Sequence, residues 1–304
     1  MRLPIRYALL NTALLAAVLM LAVLQFGLLP ALMRPGLGTA LLFVAVSGLT
    51  APLHYGLMHE TVHSHLYGRE DADRRIGRLL GVLLGLPWET MRFGHLAHHS
   101  LNRHSFDRPE GLRPNQSWSA AAAIYYSKLV IGHAVSYALM PLPVLLPIST
   151  TEWVLDWMGS GPETEQLRAA ALRTFTNIKR RNAIRLDIVA IFLLFGLAVW
   201  LWGALWPVFA GCIAARWSVL SLLDNAPHYS MPLDSGLNAR NTRLPVVARL
   251  FVMNGNYHGI HHHAPQLGWQ ELPAAFARSG APLEGGWLAA LARQFRGPVR
   301  LERA

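Results

Sequence analysis

Residues 188–223, IVAIFLLFGLAVWLWGALWPVFAGCIAARWSVLSLL, form a run of 36 with one charge, Arg216. As a single helix the run would be about 54 Å long at about 1.5 Å per residue, against a bilayer core of about 30 Å. Its middle offers a break, Trp202-Gly203 followed by Trp206-Pro207. The run therefore reads as two short spans, 188–204 and 206–223. Trp200, Trp202 and Trp206 would then sit at the far interface as an aromatic belt.

Two further uncharged runs, 7–33 and 35–58, precede it. They read as spans at about 8–30 and 37–58, joined by a tight Arg34-Pro-Gly turn. Only 14% of the 304 residues are charged, against about 25% for a soluble domain. The start, MRLPIRY, is basic enough for a signal peptide. The apolar run behind it is too long for one and lacks a small-residue cleavage site, so it reads as a retained first span. The net charge is +10. In a membrane protein that marks cytoplasmic loops, not nucleic-acid binding. Cys212, the only cysteine, lies in an apolar run and reads as a packed apolar residue.

Between the spans, residues 60–114 are polar, basic and rich in histidine, with one amphipathic stretch at 76–88. Residues 119–148 are apolar but carry Lys128, His133 and prolines 141, 143 and 147. So many prolines argue for an interfacial or re-entrant element, because freed backbone groups need protein or water partners. Residues 163–185 are basic and read as helix. No repeat or linker divides the chain, so residues 1–304 read as one all-α domain. It has about four transmembrane helices and a cytoplasmic helical cap. Four spans place both termini and the arginine-rich segments 69–113 and 168–185 on one side. The positive-inside rule makes that side the cytoplasm, and the membrane is read as a bacterial inner membrane.

Three windows on that side hold histidines at helical spacing: His59 and His63 in HETVH, His95, His98 and His99 in HLAHH, and His258, His261 and His262 in HGIHH. His228, in DNAPHY, completes nine. Positions three and four apart share a helix face, so each window can aim its imidazoles at one point. One such motif is weak by itself; three on one side point to metal. Nine imidazoles exceed what one ion holds, so the count implies two. Imidazole suits iron, copper, nickel and zinc alike, and two ions over an open position suit oxygen activation by iron.

The order H-x-x-x-H, H-x-x-H-H, H-x-x-H-H around membrane spans resembles the integral-membrane fatty acid desaturase and hydroxylase superfamily, the three-histidine-box, di-iron enzymes. HETVHSHLYG follows the second span, HHSLNRHSFDRPEG is similar to the second box with its acidic-Pro tail, and NYHGIHHHAPQLGWQELP to the third with its Trp-x-x-Leu-Pro tail. The resemblance covers about residues 35–275. It implies two irons with O2 as co-substrate. One iron would be held by His59, His99, His228, His258 and His262, the other by His63, His95, His98 and His261. Where acyl-CoA desaturases carry an Asn near the second iron, this chain has Asp224, with Asn225 beside it. Asp224 is thus a further candidate ligand, although Pro227 leaves either residue placed to face the metal. His65, His104 and His263 flank the boxes and read as supporting neighbours, as does His54. Glu60, Asp107 and Glu110 are candidates to orient ligand imidazoles.

The resemblance names several reactions. Desaturation of a fatty acyl chain stands first. Hydroxylation or ketolation of a lipid or carotenoid, and decarboxylation of a fatty acid to a terminal alkene, are the alternatives. A metal-binding membrane transporter or sensor is the non-enzyme alternative, but it would place ionisable groups near the bilayer midplane. No haem motif, dinucleotide fingerprint or cysteine cluster occurs. Electrons would therefore come from a separate, acidic donor such as ferredoxin or rubredoxin, drawn to the basic face. Arg216, an ionisable group in a span, is a candidate to bind the polar end of the substrate; a packing role competes with it.

Overall fold

The computed structural model describes residues 3–32, 36–101, 104, 107–112, 115–158, 162–233 and 238–300. The helices in chain order are α1 (Ile5–Val23), α2 (Leu37–Val62), α3 (Glu70–Leu84), α4 (Trp88–Leu101), α5 (Trp118–Leu139), α6 (Ile148–Met158) and α7 (Pro162–Phe175). They continue with α8 (Ile178–Trp202), α9 (Trp206–Asn225), α10 (Val246–Phe251), α11 (His258–His263), α12 (Leu272–Ser279) and α13 (Trp287–Arg293). Isolated bridges are the only β pairing among the described residues.

Three helical stretches are long and apolar enough to cross a membrane: Ile5–Leu28, Leu37–Val62 and the 48-residue Ile178–Asn225. The last turns back at Gly203, whose φ of 49° and ψ of −123° suit glycine alone. Phe195 and Phe209 lie 5.9 Å apart between ring centroids. Fourteen residues of straight helix would separate them by about 21 Å, so α8 and α9 form the hairpin that the length of the run demands. The helices overrun the expected spans. α8 begins at Ile178 because its first turns, with Lys179, Arg180, Arg181 and Arg185, extend beyond the apolar stretch.

The aromatic belt is corrected. Trp200 and Trp206 are exposed near the tip, but Trp202 is buried. Two residues advance a helix by about 200°, so Trp202 faces inward from Trp200. Its Nε1 donates to the Gln25 carbonyl at 3.0 Å. Gln25 lies in a π-helical turn, Leu24–Leu28, that continues α1. The Gln25 side chain accepts from Arg216 at 3.3 Å, and Arg216 also donates to His54 Nδ1. His54 therefore carries its proton on Nε2, which donates to the Leu80 carbonyl at 2.9 Å. One buried arginine thus gathers α1, α2, α3 and α9.

In the proline-rich region the freed backbone groups have protein partners. α5 runs unbroken for 22 residues, because the prolines come after its end. Both ends stay with the metal-side elements. Tyr125 and Tyr126 donate to the carbonyls of Gln294 and Phe295. Beyond the other end, Val144 packs with Phe175, Ile184 and Phe93. The carbonyls left over by the prolines are answered by Arg181, which donates to Val144 and Leu146, and by Arg185, which donates to Val144.

Two small features set α4 against α2. The Trp88 Nε1 donates to Thr61 Oγ1 at 2.9 Å. It passes over Gly77 of α3, where a Cβ would stand 2.2 Å from that nitrogen and 2.4 Å from the hydroxyl. Asp187, at the start of the α8 span, accepts from the Trp88 backbone at 3.3 Å and from Arg78 at 2.8 Å. The first orphan donors of α4 are thereby partly answered.

Candidate metal centre

His59 and His63 occupy the end of α2. Backbone bonds from Ser64 to Thr61 (3.2 Å) and from His65 to Glu60 (2.8 Å) close that helix, the bonding pattern of a Schellman motif. Ser64 takes the left-handed position with φ of 59°, a role usually given to glycine. The chain therefore leaves at once after His63. His95, His98 and His99 lie on α4. His228 lies in the turns after α9, where Pro227 stops the helix. α11 has six residues, too few to stand alone. Asn241 holds its first turn by accepting from the Ile260 N–H at 3.1 Å. Trp269, just beyond, donates from its backbone to Glu60 at 3.1 Å and from its ring to Asn11 at 3.0 Å. Asn11 in turn donates to the Leu66 carbonyl at 2.7 Å, tying the first and third boxes to α1.

All nine histidines come together, in two groups. One contains His59, His63, His95, His99 and His261; the other contains His98, His228, His258 and His262. Within each, one ligand atom per residue lies within 4.8 Å of all the others. The Nε2 atoms approach closely: His59–His261 at 3.1 Å, His99–His261, His99–His95 and His63–His95 each at 2.9 Å. In the second group His98–His228 is 3.1 Å, His258–His228 3.0 Å and His262–His258 3.2 Å.

This grouping differs from the one that the family resemblance implies. His59 and His99 stand with His63, His95 and His261, and His98 stands with His228, His258 and His262. Helix geometry explains the exchange. Residues four apart differ by about 40° around the axis, whereas adjacent ones differ by about 100°. The pairs His59/His63, His95/His99 and His258/His262 therefore stay together, and His98 and His261 turn to the other group.

The donor set suits a cation. His98 donates from Nδ1 to Asp107 at 2.6 Å, and His228 from Nδ1 to the Asn238 carbonyl at 2.9 Å. A neutral imidazole that spends its proton on Nδ1 offers a bare lone pair at Nε2. Two such lone pairs at 3.1 Å repel unless a positive charge lies between them. Burial, helped by neighbouring imidazoles, pushes His63, His95, His228, His258, His261 and His262 well below the ordinary imidazole range. The same causes lower His99 to about 3. These are neutral, ligand-ready side chains. At His98 burial acts downward, but the hydrogen bond and charge of Asp107 outweigh it and raise the proton affinity. A more basic imidazole is also a better ligand.

The surrounding candidates divide. Asp107 reaches His98, whereas Glu60 stands 3.5 Å from His59 Nδ1 and accepts from Trp269. Among the described residues Glu110 meets no imidazole: it pairs with Arg108 at 2.6 Å and accepts from the Ser230 N–H at 3.0 Å. Arg108 donates to the carbonyls of His228 and Met231 at 2.6 and 2.9 Å. This buried pair holds the His228 backbone, a role the sequence signals only by two charges in a histidine-rich segment. Asn225 is engaged with Gln294 and Tyr125. Asp224 belongs to neither ligand group but lines two cavities.

One cavity, of about 130 Å³, is walled by Tyr55, Leu220, Leu223, Val252, Met253 and Leu272 and reaches His59, His258 and His261. The other, of about 260 Å³, is more polar. It reaches His98 and His228 between α5 and the end of α9, with Lys128 and Ser136 in its wall. Asp224 lies on both. Arg216 lines neither; it faces a small separate cavity with His54 and Gln25.

The fatty acid desaturase family matches the chain over residues 35–289. No curated protein matches it.

Proposed function

The chain belongs to the fatty acid desaturase family, and we propose that it is an O2-dependent di-iron enzyme that desaturates a fatty acyl chain. Membership and the histidine groups make it a membrane oxidoreductase of desaturase or hydroxylase type with groups fit to bind metal. The observation that carries the finer reading is the meeting of nine imidazoles beside an apolar cavity, at the ends of span-length helices. The five-histidine group would hold one iron and the four-histidine group the other. Bound there, the irons supply the means to use O2 as oxidant on an unactivated C–H bond.

The chain's own residues supply position and dryness. Tyr55, Leu220, Leu223 and Met253 give an acyl chain an apolar wall that excludes water. Asp107 and the Asn238 carbonyl hold the protons of His98 and His228 on Nδ1 and keep Nε2 free for metal. Asp224, on both cavities but in neither histidine group, would hold a water beside the ions. The overall reaction balances as R–CH2–CH2–R′ + O2 + 2e− + 2H+ giving R–CH=CH–R′ + 2 H2O. The electrons come from a separate donor such as ferredoxin or rubredoxin. The basic segments near the histidines support a cytoplasmic site in a bacterial inner membrane.

The test is mass spectrometry of lipids and headspace from cells expressing the chain, beside purified protein supplied with O2 and a reductant. An acyl chain lighter by two hydrogens is expected. A hydroxylated or keto lipid, or a terminal alkene, would assign the alternative outcomes. No O2 consumption and no product would return the chain to the transporter or sensor class.

A further inference from the structure

An open groove of about 890 Å³ runs between α4 and α7 and ends at the start of α8. Its floor is partly apolar, with Leu96, Ala97 and Ala170; Arg92, Arg173 and Arg180 stand in its walls. Arg173 is exposed and Arg180 partly so. Arg180 reaches the buried carboxylate of Glu89 only at 3.9 Å. The next exposed residue, Lys179, adds a further cation.

The groove and the histidines share α4. At about 100° per residue, Phe93, Ala97 and Leu101 lie on roughly the opposite face of the helix from His95, His98 and His99, with Arg92, Leu96 and Ser100 at the edge of that face. A helix with its side chains is about 10–12 Å across. Whatever fills the groove therefore stands about one helix diameter from both histidine groups. The apolar cavity lies elsewhere: α2, α9 and the segments around α10 and α11 line it, and α4 contributes none of its residues. Substrate and groove occupant can thus be present together.

We propose that this groove is the docking surface for a small acidic one-electron protein. It would deliver electrons across α4, two docking events serving each O2 consumed. This rests on the oxidative reading of the histidine centre. The arginine-rimmed, partly apolar groove matches the composition of a specific protein interface, in which arginine is enriched. Its positive charge complements an acidic partner and would raise the association rate at low salt. The position gives an external donor a surface one helix away that the substrate does not use.

The experiment measures affinity first. Iron-loaded protein in phosphatidylcholine nanodiscs is titrated with a reduced plant-type [2Fe–2S] ferredoxin at low and moderate salt. The comparison covers wild type, Arg173→Glu, the milder Arg180→Gln, and Arg278→Glu as a control on the exposed side of α12. Arg173→Glu is expected to weaken binding at low salt by about tenfold, and Arg180→Gln by about threefold. The control should stay within about twofold, and both groove variants should flatten the salt dependence. Conversion driven by a small diffusible reductant should be unchanged in all of them. Equal weakening by Arg278→Glu, wild-type affinity in Arg173→Glu, or no ferredoxin binding by the wild type would each overturn the proposal. So would intact ferredoxin affinity in Arg173→Glu with loss of phosphatidylglycerol binding in parallel nanodiscs that contain that lipid, which would make the groove a lipid headgroup site. Ferredoxin binding with the expected pattern but no acyl conversion would fail the reaction and leave the surface standing. Conversion with indifferent ferredoxin binding would do the reverse.

Discussion

In the five-histidine group, four imidazoles sit on helices and the fifth, His63, caps one. They come from α2, α4 and α11 at spacings of four residues or, for His261, one step off such a pair. The four-histidine group is built otherwise. His228 stands in irregular chain, and three contacts from irregular chain support the group: Asp107 on His98, the Asn238 carbonyl on His228, and Arg108 on the His228 carbonyl. Helix periodicity fixes the first group at little cost in loop order. The second depends on separate segments meeting correctly, with every carbonyl and carboxylate in place. It should be the more fragile of the two.

Removing one ligand from each group is the largest test of that contrast. His228→Ala should abolish conversion and lower bound iron by about one ion per chain. His261→Ala should also abolish conversion but retain more iron, because four imidazoles remain at its group, against the three that His228→Ala leaves. Iron analysis after gel filtration against a weak chelator separates them. Equal loss from both variants would break the comparison.

Asp107→Asn is the next step down. It keeps the shape but removes the charge that makes His98 basic. Metal affinity at the four-histidine group should fall by about 10- to 100-fold, with the five-histidine group unaffected, read as one ion lost early in a chelator titration. A uniform shift of both ions would show that the groups are not independent in this way.

Gly77→Ala tests the frame that carries both groups. Its new Cβ would stand between Trp88 and Thr61, so α3 must move from its neighbours, costing about 1–3 kcal/mol. Thermal unfolding should fall while the two ions are lost together. Loss of one ion alone would mean that the frame serves one group.

The smallest effect on the centre is expected at Arg216. Its guanidinium is engaged by His54, Gln25 and the Leu83 carbonyl and lines neither metal-side cavity. Arg216→Gln should lower yield and thermal stability, with iron per folded chain and KM unchanged. A raised KM at full yield would instead restore it as a substrate-binding residue.

How much of this was legible in the sequence follows the same division. The hairpin in residues 188–223 came from length against bilayer thickness, and the nine histidines from spacing; both obey periodicities that the chain carries locally. The split of the nine between groups was equally local, since a four-residue step keeps two rings together, yet family resemblance pointed to another pairing. Asp107 was legible as a candidate, because it follows the second box closely. The roles of Asn238, of the Arg108–Glu110 pair and of Trp202 were not. Each depends on a partner many residues away, and no local pattern encodes which carbonyl will stand there. The prolines after α5 were legible as a sign of freed backbone groups, but which residue answers them, Arg181, is a tertiary fact.

The central claim is that the two histidine groups hold two irons in one chain. The direct measurement is metal content per chain by inductively coupled plasma mass spectrometry, on protein purified from iron-supplemented cells and quantified by amino-acid analysis. The account predicts about two irons per chain in the wild type and about one in His228→Ala. A single zinc per chain, or one ion that any of the nine substitutions removes completely, would contradict it.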